Sequence, residues 1–67
     1  MELVVNGKPT RLSEGTTASA LLEQLRVQAE RVVVEVNLNI VKRAQLSSTI
    51  LRAGDQVEIV HFVGGGS

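Results

Sequence analysis

Only one stretch of this chain has a helical period, and it is flanked by runs that read as strands. Ala18, Leu21, Leu22 and Leu25 fall at i, i+3, i+4 and i+7, with Glu23, Gln24 and Arg26 on the other face. Thr16 or Thr17 can cap the start, so the spacing predicts an amphipathic helix from about residue 17 to about residue 28. A single helix offers one apolar stripe. The remaining apolar runs must therefore build a sheet that this helix covers on one face.

The strand signals are local. ELVV runs into Asn6-Gly7, the pair that most readily takes the two positive φ angles of a type I′ turn, so ELVV–NG–KPTRL reads as a hairpin. Pro9 cannot donate to a ladder and suits an edge strand. VVVEVN (32–37) is β-branched, Asn37-Leu38-Asn39 makes a turn, and IVKR (40–43) returns from it. AQLSSTILRA has no clean period and reads as an irregular crossover with about one helical turn. Gly54-Asp55 punctuates it, and QVEIVHFV (56–63) is the last strand. The order β-β-α-β-β-crossover-β is that of an α+β chain, a β-grasp mixed sheet of about five strands on one main helix. One domain (1–63) and a flexible glycine tail (64–67) are expected.

Composition removes several functions. A chain of 67 residues makes a small core, burying about 60% of the surface its unfolded form exposes. Without cysteine there is no disulfide, thiolate metal site or thiol nucleophile. Seven basic residues balance seven acidic ones, and Phe62 is the only aromatic residue. Neither nucleic acid nor an anionic membrane surface is an expected partner. No stretch is long and apolar enough to span a bilayer, and MELVVNG lacks the form of a signal peptide. The default expectation is a soluble cytoplasmic protein.

Two stretches carry a resemblance. VVVEVNLNIVKR (32–43) is similar to the third-strand, turn and Arg segment of the ThiS family of sulfur carriers in thiamine biosynthesis. LRAGDQVEIVHFVGGG (51–66) looks like that family's Gly-Asp turn, final strand and glycine end. With the length and the Asn6-Gly7 hairpin, the resemblance covers essentially the whole chain. It implies a carrier rather than an enzyme, binding no cofactor and monomeric when free. The terminal glycine carboxylate would be adenylated with ATP on a ThiF-type adenylyltransferase and converted to a thiocarboxylate. A cysteine desulfurase or another donor would supply the sulfur, and the thiazole synthase ThiG would take it. The small subunit of molybdopterin synthase and a tRNA-thiolation carrier resemble the same pattern. From another class, a β-grasp binding module with an inert tail also stands.

The residue types fit a carrier end. Gly64, Gly65 and Gly66 lack Cβ, so they can thread a narrow channel and leave the terminal carbonyl unhindered. Three extended residues reach roughly 10 Å beyond the domain. Ser67 follows them, where the family's working end is glycine. It is removed, or foreign to the native chain, or inconsistent with the carrier role. Read alone, glycines before a serine are an ordinary linker or frayed end.

Three further residues are candidates for a partner interface. Val60 and Phe62 lie opposite Val57 and Ile59 in a strand, so they form an exposed apolar patch unless the crossover folds over them. Arg43 occupies the family's Arg position, where it would bind a partner's acidic group or simply solvate a strand end. His61 has no second metal ligand at useful spacing and reads as a solvated or edge residue. Asp55 reads as a turn residue bonding nearby backbone. Glu35 and Glu58 are possible cross-strand neighbours, but two carboxylates without a cleft do not make a glycosidase.

Overall fold

Asn6 and Gly7 take φ of 50° and 80°, the paired positive angles of a type I′ turn. They join strands β1 (Glu2–Val5) and β2 (Lys8–Arg11), which pair antiparallel with Val4 opposite Pro9. The computed structural model describes residues 1–62. Helix α1 (Ala18–Gln24) follows, then strands β3 (Val32–Val36), β4 (Asn39–Val41) and β5 (Gln56–His61). Two 3-10 segments, Ala29–Arg31 and Arg43–Ser48, sit in the connections before β3 and after β4.

The sheet runs β2-β1-β5-β3-β4. β5 pairs parallel with β1 on one side and antiparallel with β3 on the other. This is the expected α+β mixed sheet of five strands with one helix. Pro9 lies on an edge strand, where its missing N–H breaks no interior ladder.

Strand alternation sends Leu3, Val5, Val32, Val34, Val57 and Ile59 to one face, where they meet Ala18, Leu21 and Leu22 of α1. Leu46 and Leu51 from the crossover join the same cluster. Leu3, Leu21, Leu51 and Val57 are the largest fully buried side chains. Burial of each contributes on the order of 1.5–3 kcal/mol. The crossover thus packs on the helix side of the sheet and leaves the opposite face open.

The helix is shorter than its period suggested. Thr17 caps it, its Oγ1 accepting from the Ala20 N–H at 3.1 Å. Its end is a Schellman motif: the Arg26 N–H donates to the Glu23 carbonyl (3.0 Å) and the Val27 N–H to the Leu22 carbonyl (2.9 Å). Arg26 takes φ 58° at the position that glycine usually fills. Leu25 is the C-cap and is exposed, so it falls outside the apolar stripe. Val27, just past the turn, packs against the core instead.

Three other boundaries move. The second hairpin turns on Asn37 and Leu38 alone, with φ of 52° and 71°, and Asn39 already belongs to β4. Arg43 opens a 3-10 segment rather than closing a strand. β5 ends at His61, one residue before Phe62. The expected boundary between domain and tail at 63/64 lies outside the described residues.

Candidate docking face

Side-chain amides pin the strand that leads toward the glycines. Asn6 Oδ1 accepts from the Ile59 N–H at 2.8 Å, extending the β1–β5 ladder past the end of β1. At the entry to β5, Asp55 Oδ2 accepts from the Arg52 N–H (2.8 Å) and Oδ1 from Asn37 Nδ2 (3.0 Å). Asn37 Oδ1 in turn accepts from the Gln56 N–H at 3.0 Å. Asp55 is a turn residue, as its Gly-Asp setting indicated. Its link to Asn37 was not visible in sequence, because the two residues are eighteen apart. Beyond β5, the Phe62 N–H donates to the Arg31 carbonyl at 3.0 Å, so the backbone is held through the last described residue.

Of the three interface candidates, Val60 stands on the open face, while Phe62 and Arg43 lie just past the ends of β5 and β4. Val33 stands opposite Val60, and Glu35 stands between Glu58 and Ile40. Val60 is 52% exposed, Phe62 55% and Ile40 67%. Single exposed apolar side chains are ordinary, but Val60 and Ile40 share the open face with a half-buried Val33, and exposed Phe62 follows just past the end of β5. Leu38, at the tip of the adjoining turn, is 88% exposed. Ile40 and Leu38 were not among the sequence candidates. The sequence marks them only as an apolar residue on each side of Asn39, a pattern that turn and strand positions also produce.

Arg43 is exposed and lies just past β4, at the end of the sheet where β5 finishes. Two strand spacings separate β4 from β5, about 10 Å. Arg43 therefore shares an end of the molecule with Phe62 without being its immediate neighbour. His61 is exposed opposite Val32, in a shallow depression that Glu30, Arg31 and Phe62 also line. Gly64, Gly65 and Gly66 lie outside the described residues. No helix among the described residues is long and apolar enough to cross a membrane.

The ThiS family model matches residues 2–66. A thiazole synthase of Paramagnetospirillum magneticum is 43% identical over 67 residues, all of this chain but 21% of that enzyme, so the chain spans a small part of that relative. The sulfur carrier protein ThiS of Bacillus subtilis is 37% identical over 65 residues, 96% of this chain and 98% of the relative. Among solved structures, the thiamine biosynthesis protein ThiS of Geobacter metallireducens aligns with a TM-score of 0.85 at 42% identity, covering 98% of this chain and 100% of that one. A family match that leaves out only the first and last residues, on a five-stranded mixed sheet with one helix, settles the assignment: the chain belongs to the ThiS family.

Proposed function

We propose that this chain is a sulfur carrier for thiazole formation in thiamine biosynthesis, and that its working group is the carboxylate of Gly66, freed when the Gly66–Ser67 peptide bond is hydrolysed and Ser67 leaves. What carries the reading is its similarity to a sulfur carrier protein over nearly the whole of both chains. The family match also runs to Gly66 and leaves Ser67 outside it. The carrier is a substrate and does no catalysis of its own. A ThiF-type adenylyltransferase joins the carboxylate to the α-phosphorus of ATP and releases pyrophosphate. A sulfide equivalent, supplied by a cysteine desulfurase persulfide together with a thiol reductant, then attacks the acyl carbon. A C–S bond forms, the bond to AMP breaks, and a thiocarboxylate remains.

The thiazole synthase ThiG is the proposed acceptor. In support, the thiazole synthase of Paramagnetospirillum magneticum contains a segment resembling this chain. The relatives' names favour thiamine over molybdopterin synthesis. A cytoplasmic location belongs to the same reading.

Docking is assigned to the open face, with Val60 and Phe62 as apolar anchors and Arg43 toward an acidic group. Phe62 is half exposed, so Phe62→Ala should destabilise far less than the roughly 3–5 kcal/mol of a buried phenylalanine. Its affinity for the adenylyltransferase should nevertheless fall. Thermal unfolding and titration calorimetry read the two effects separately, and a large loss of stability with unchanged affinity would return Phe62 to a structural role.

The chemistry is tested by ATP–pyrophosphate exchange on chains ending at Ser67, Gly66 and Gly65. Serine adds a Cβ and one residue, up to about 3.6 Å, which is comparable to a near-attack distance of about 3–3.5 Å. The Ser67 chain should exchange at least about a hundredfold more slowly than the Gly66 chain. Intact mass after addition of a sulfur source should show one oxygen replaced by sulfur. Equal exchange by all three chains would refute the terminal-glycine assignment.

A further inference from the structure

Both hairpins turn on an asparagine in the left-handed region, Asn6 at φ 50° and Asn37 at φ 52°, and both asparagines are exposed. They differ in the residue that follows. Gly7 follows Asn6, whereas Leu38 follows Asn37, and Ile40 follows Asn39. Their side chains are also tied differently. Asn37 is held at both ends, its Oδ1 accepting from the Gln56 N–H and its Nδ2 donating to Asp55. Asn6 is held through Oδ1 alone, by the Ile59 N–H at 2.8 Å, and among the described residues its Nδ2 donates to nothing. The Gly7 N–H also lacks a hydrogen-bond partner among the described residues, and the space where a Cβ would stand is open. A side-chain amide carbon, an uncommitted N–H on the next residue and no side chain between them are the components of an intramolecular acyl transfer.

We propose that Asn6-Gly7 is a self-modification site, at which Asn6 is converted to aspartate and isoaspartate and the converted turn loosens β5. The Gly7 nitrogen attacks Asn6 Cγ and gives up its proton. A C–N bond forms, the Cγ–Nδ2 bond breaks, and ammonia leaves with that proton. Water then opens the five-membered imide, so one water is consumed for each ammonia released and nothing is oxidised or reduced. Opening at Cγ gives aspartate, whose carboxylate still accepts from Ile59. Opening at the former main-chain carbonyl gives isoaspartate, in which the backbone runs through Cβ. That extra methylene does not fit a two-residue turn, and the acceptor for Ile59 is displaced. Beyond Val57, β5 is then paired with β3 alone. Leu38 and Ile40 set branched side chains beside the nitrogens that follow Asn37 and Asn39, which spares those two. The bond to Ile59 must open before the attack, so the rate follows fraying at this end of β1. The site stands whether or not Gly66 carries sulfur.

The test incubates the full chain at neutral pH, folded and in urea, and follows released ammonia, intact mass and peptide maps labelled by an isoaspartyl methyltransferase. In the folded chain Asn6 should be converted, while Asn37 and Asn39 stay intact. Because a single hydrogen bond holds the Asn6 amide, the folded rate should lie within about a hundredfold of the rate in urea. In urea, Leu38→Gly should make Asn37 react as fast as Asn6. The isoaspartate form, separated by chromatography, should exchange its Ile59 amide at least about fivefold faster than the unmodified chain. Asn6→Asp, which keeps the acceptor and the turn length, should not show that increase. A folded rate below the hundredfold bound, as expected if only global unfolding exposes Asn6, would overturn the site. So would conversion of Asn37 or Asn39 as fast as Asn6 in the unchanged sequence, or an Asn37 that stays intact in Leu38→Gly in urea. Unchanged exchange at Ile59 in the isoaspartate form would overturn the loosening of β5.

Discussion

Leu38 occupies an uncomfortable position in the described fold. It combines φ 71° with 88% exposure, so the left-handed backbone is not offset by burial. Leu38→Gly should therefore raise stability by roughly 1 kcal/mol, read from chemical denaturation. A fall would mean that Leu38 makes contacts that hold the hairpin. Asn6 contrasts with it. It too is left-handed, at φ 50°, but its Oδ1 is the acceptor for the Ile59 N–H. Asn6→Ala keeps the unfavourable φ and strands that donor, so it should cost about 1–3 kcal/mol. Asn6→Gly relieves the φ while losing the same bond, and should lie between Asn6→Ala and wild type. At this scale the sequence was readable where a residue's preference is local, as with Asn6-Gly7 and Pro9. The Asn6 bond to Ile59, across fifty-three residues, leaves no trace in a local pattern.

Among the elements, α1 shows best what periodicity cannot tell. Leu25 and Arg26 continue a plausible helix on paper, yet the Schellman turn stops it at Gln24. The usual glycine marker is absent, and arginine stands in the left-handed position instead. What decides the end is Val27, which reaches the core only after the chain reverses. Arg26→Gly should accordingly stabilise the fold, by up to about 1 kcal/mol, with the helix length unchanged. Nuclear magnetic resonance shifts for residues 18–27 would show whether the helix instead lengthens, which would refute this account. The strands were legible because β-branched runs are bounded by turn residues. The Glu35–Glu58 juxtaposition could be raised as a possibility from sequence, but only the β3–β5 register places the two side by side.

For the molecule as a whole, the strand order was the part least legible in sequence. Both hairpins are local, whereas the parallel pairing of β1 with β5 joins residues about fifty apart. Only the burial of Leu3, Val5, Val57 and Ile59 in one cluster explains why that pairing wins. Amide exchange should follow this architecture, with β5 and its β1 and β3 partners slowest and the edge strands β2 and β4 fastest. Uniform protection across all five strands would contradict it. The central place of β5 has a consequence for how the protein comes into being. Until residues 56–61 leave the ribosome, the chain holds two hairpins with no strand to unite them, and their inner edges stay unpaired. Assembly must wait for the strand that leads directly to the glycines. A polypeptide cut short inside β5 is not a carrier with a shorter arm but a chain without a sheet, open to proteolysis before any enzyme can load it.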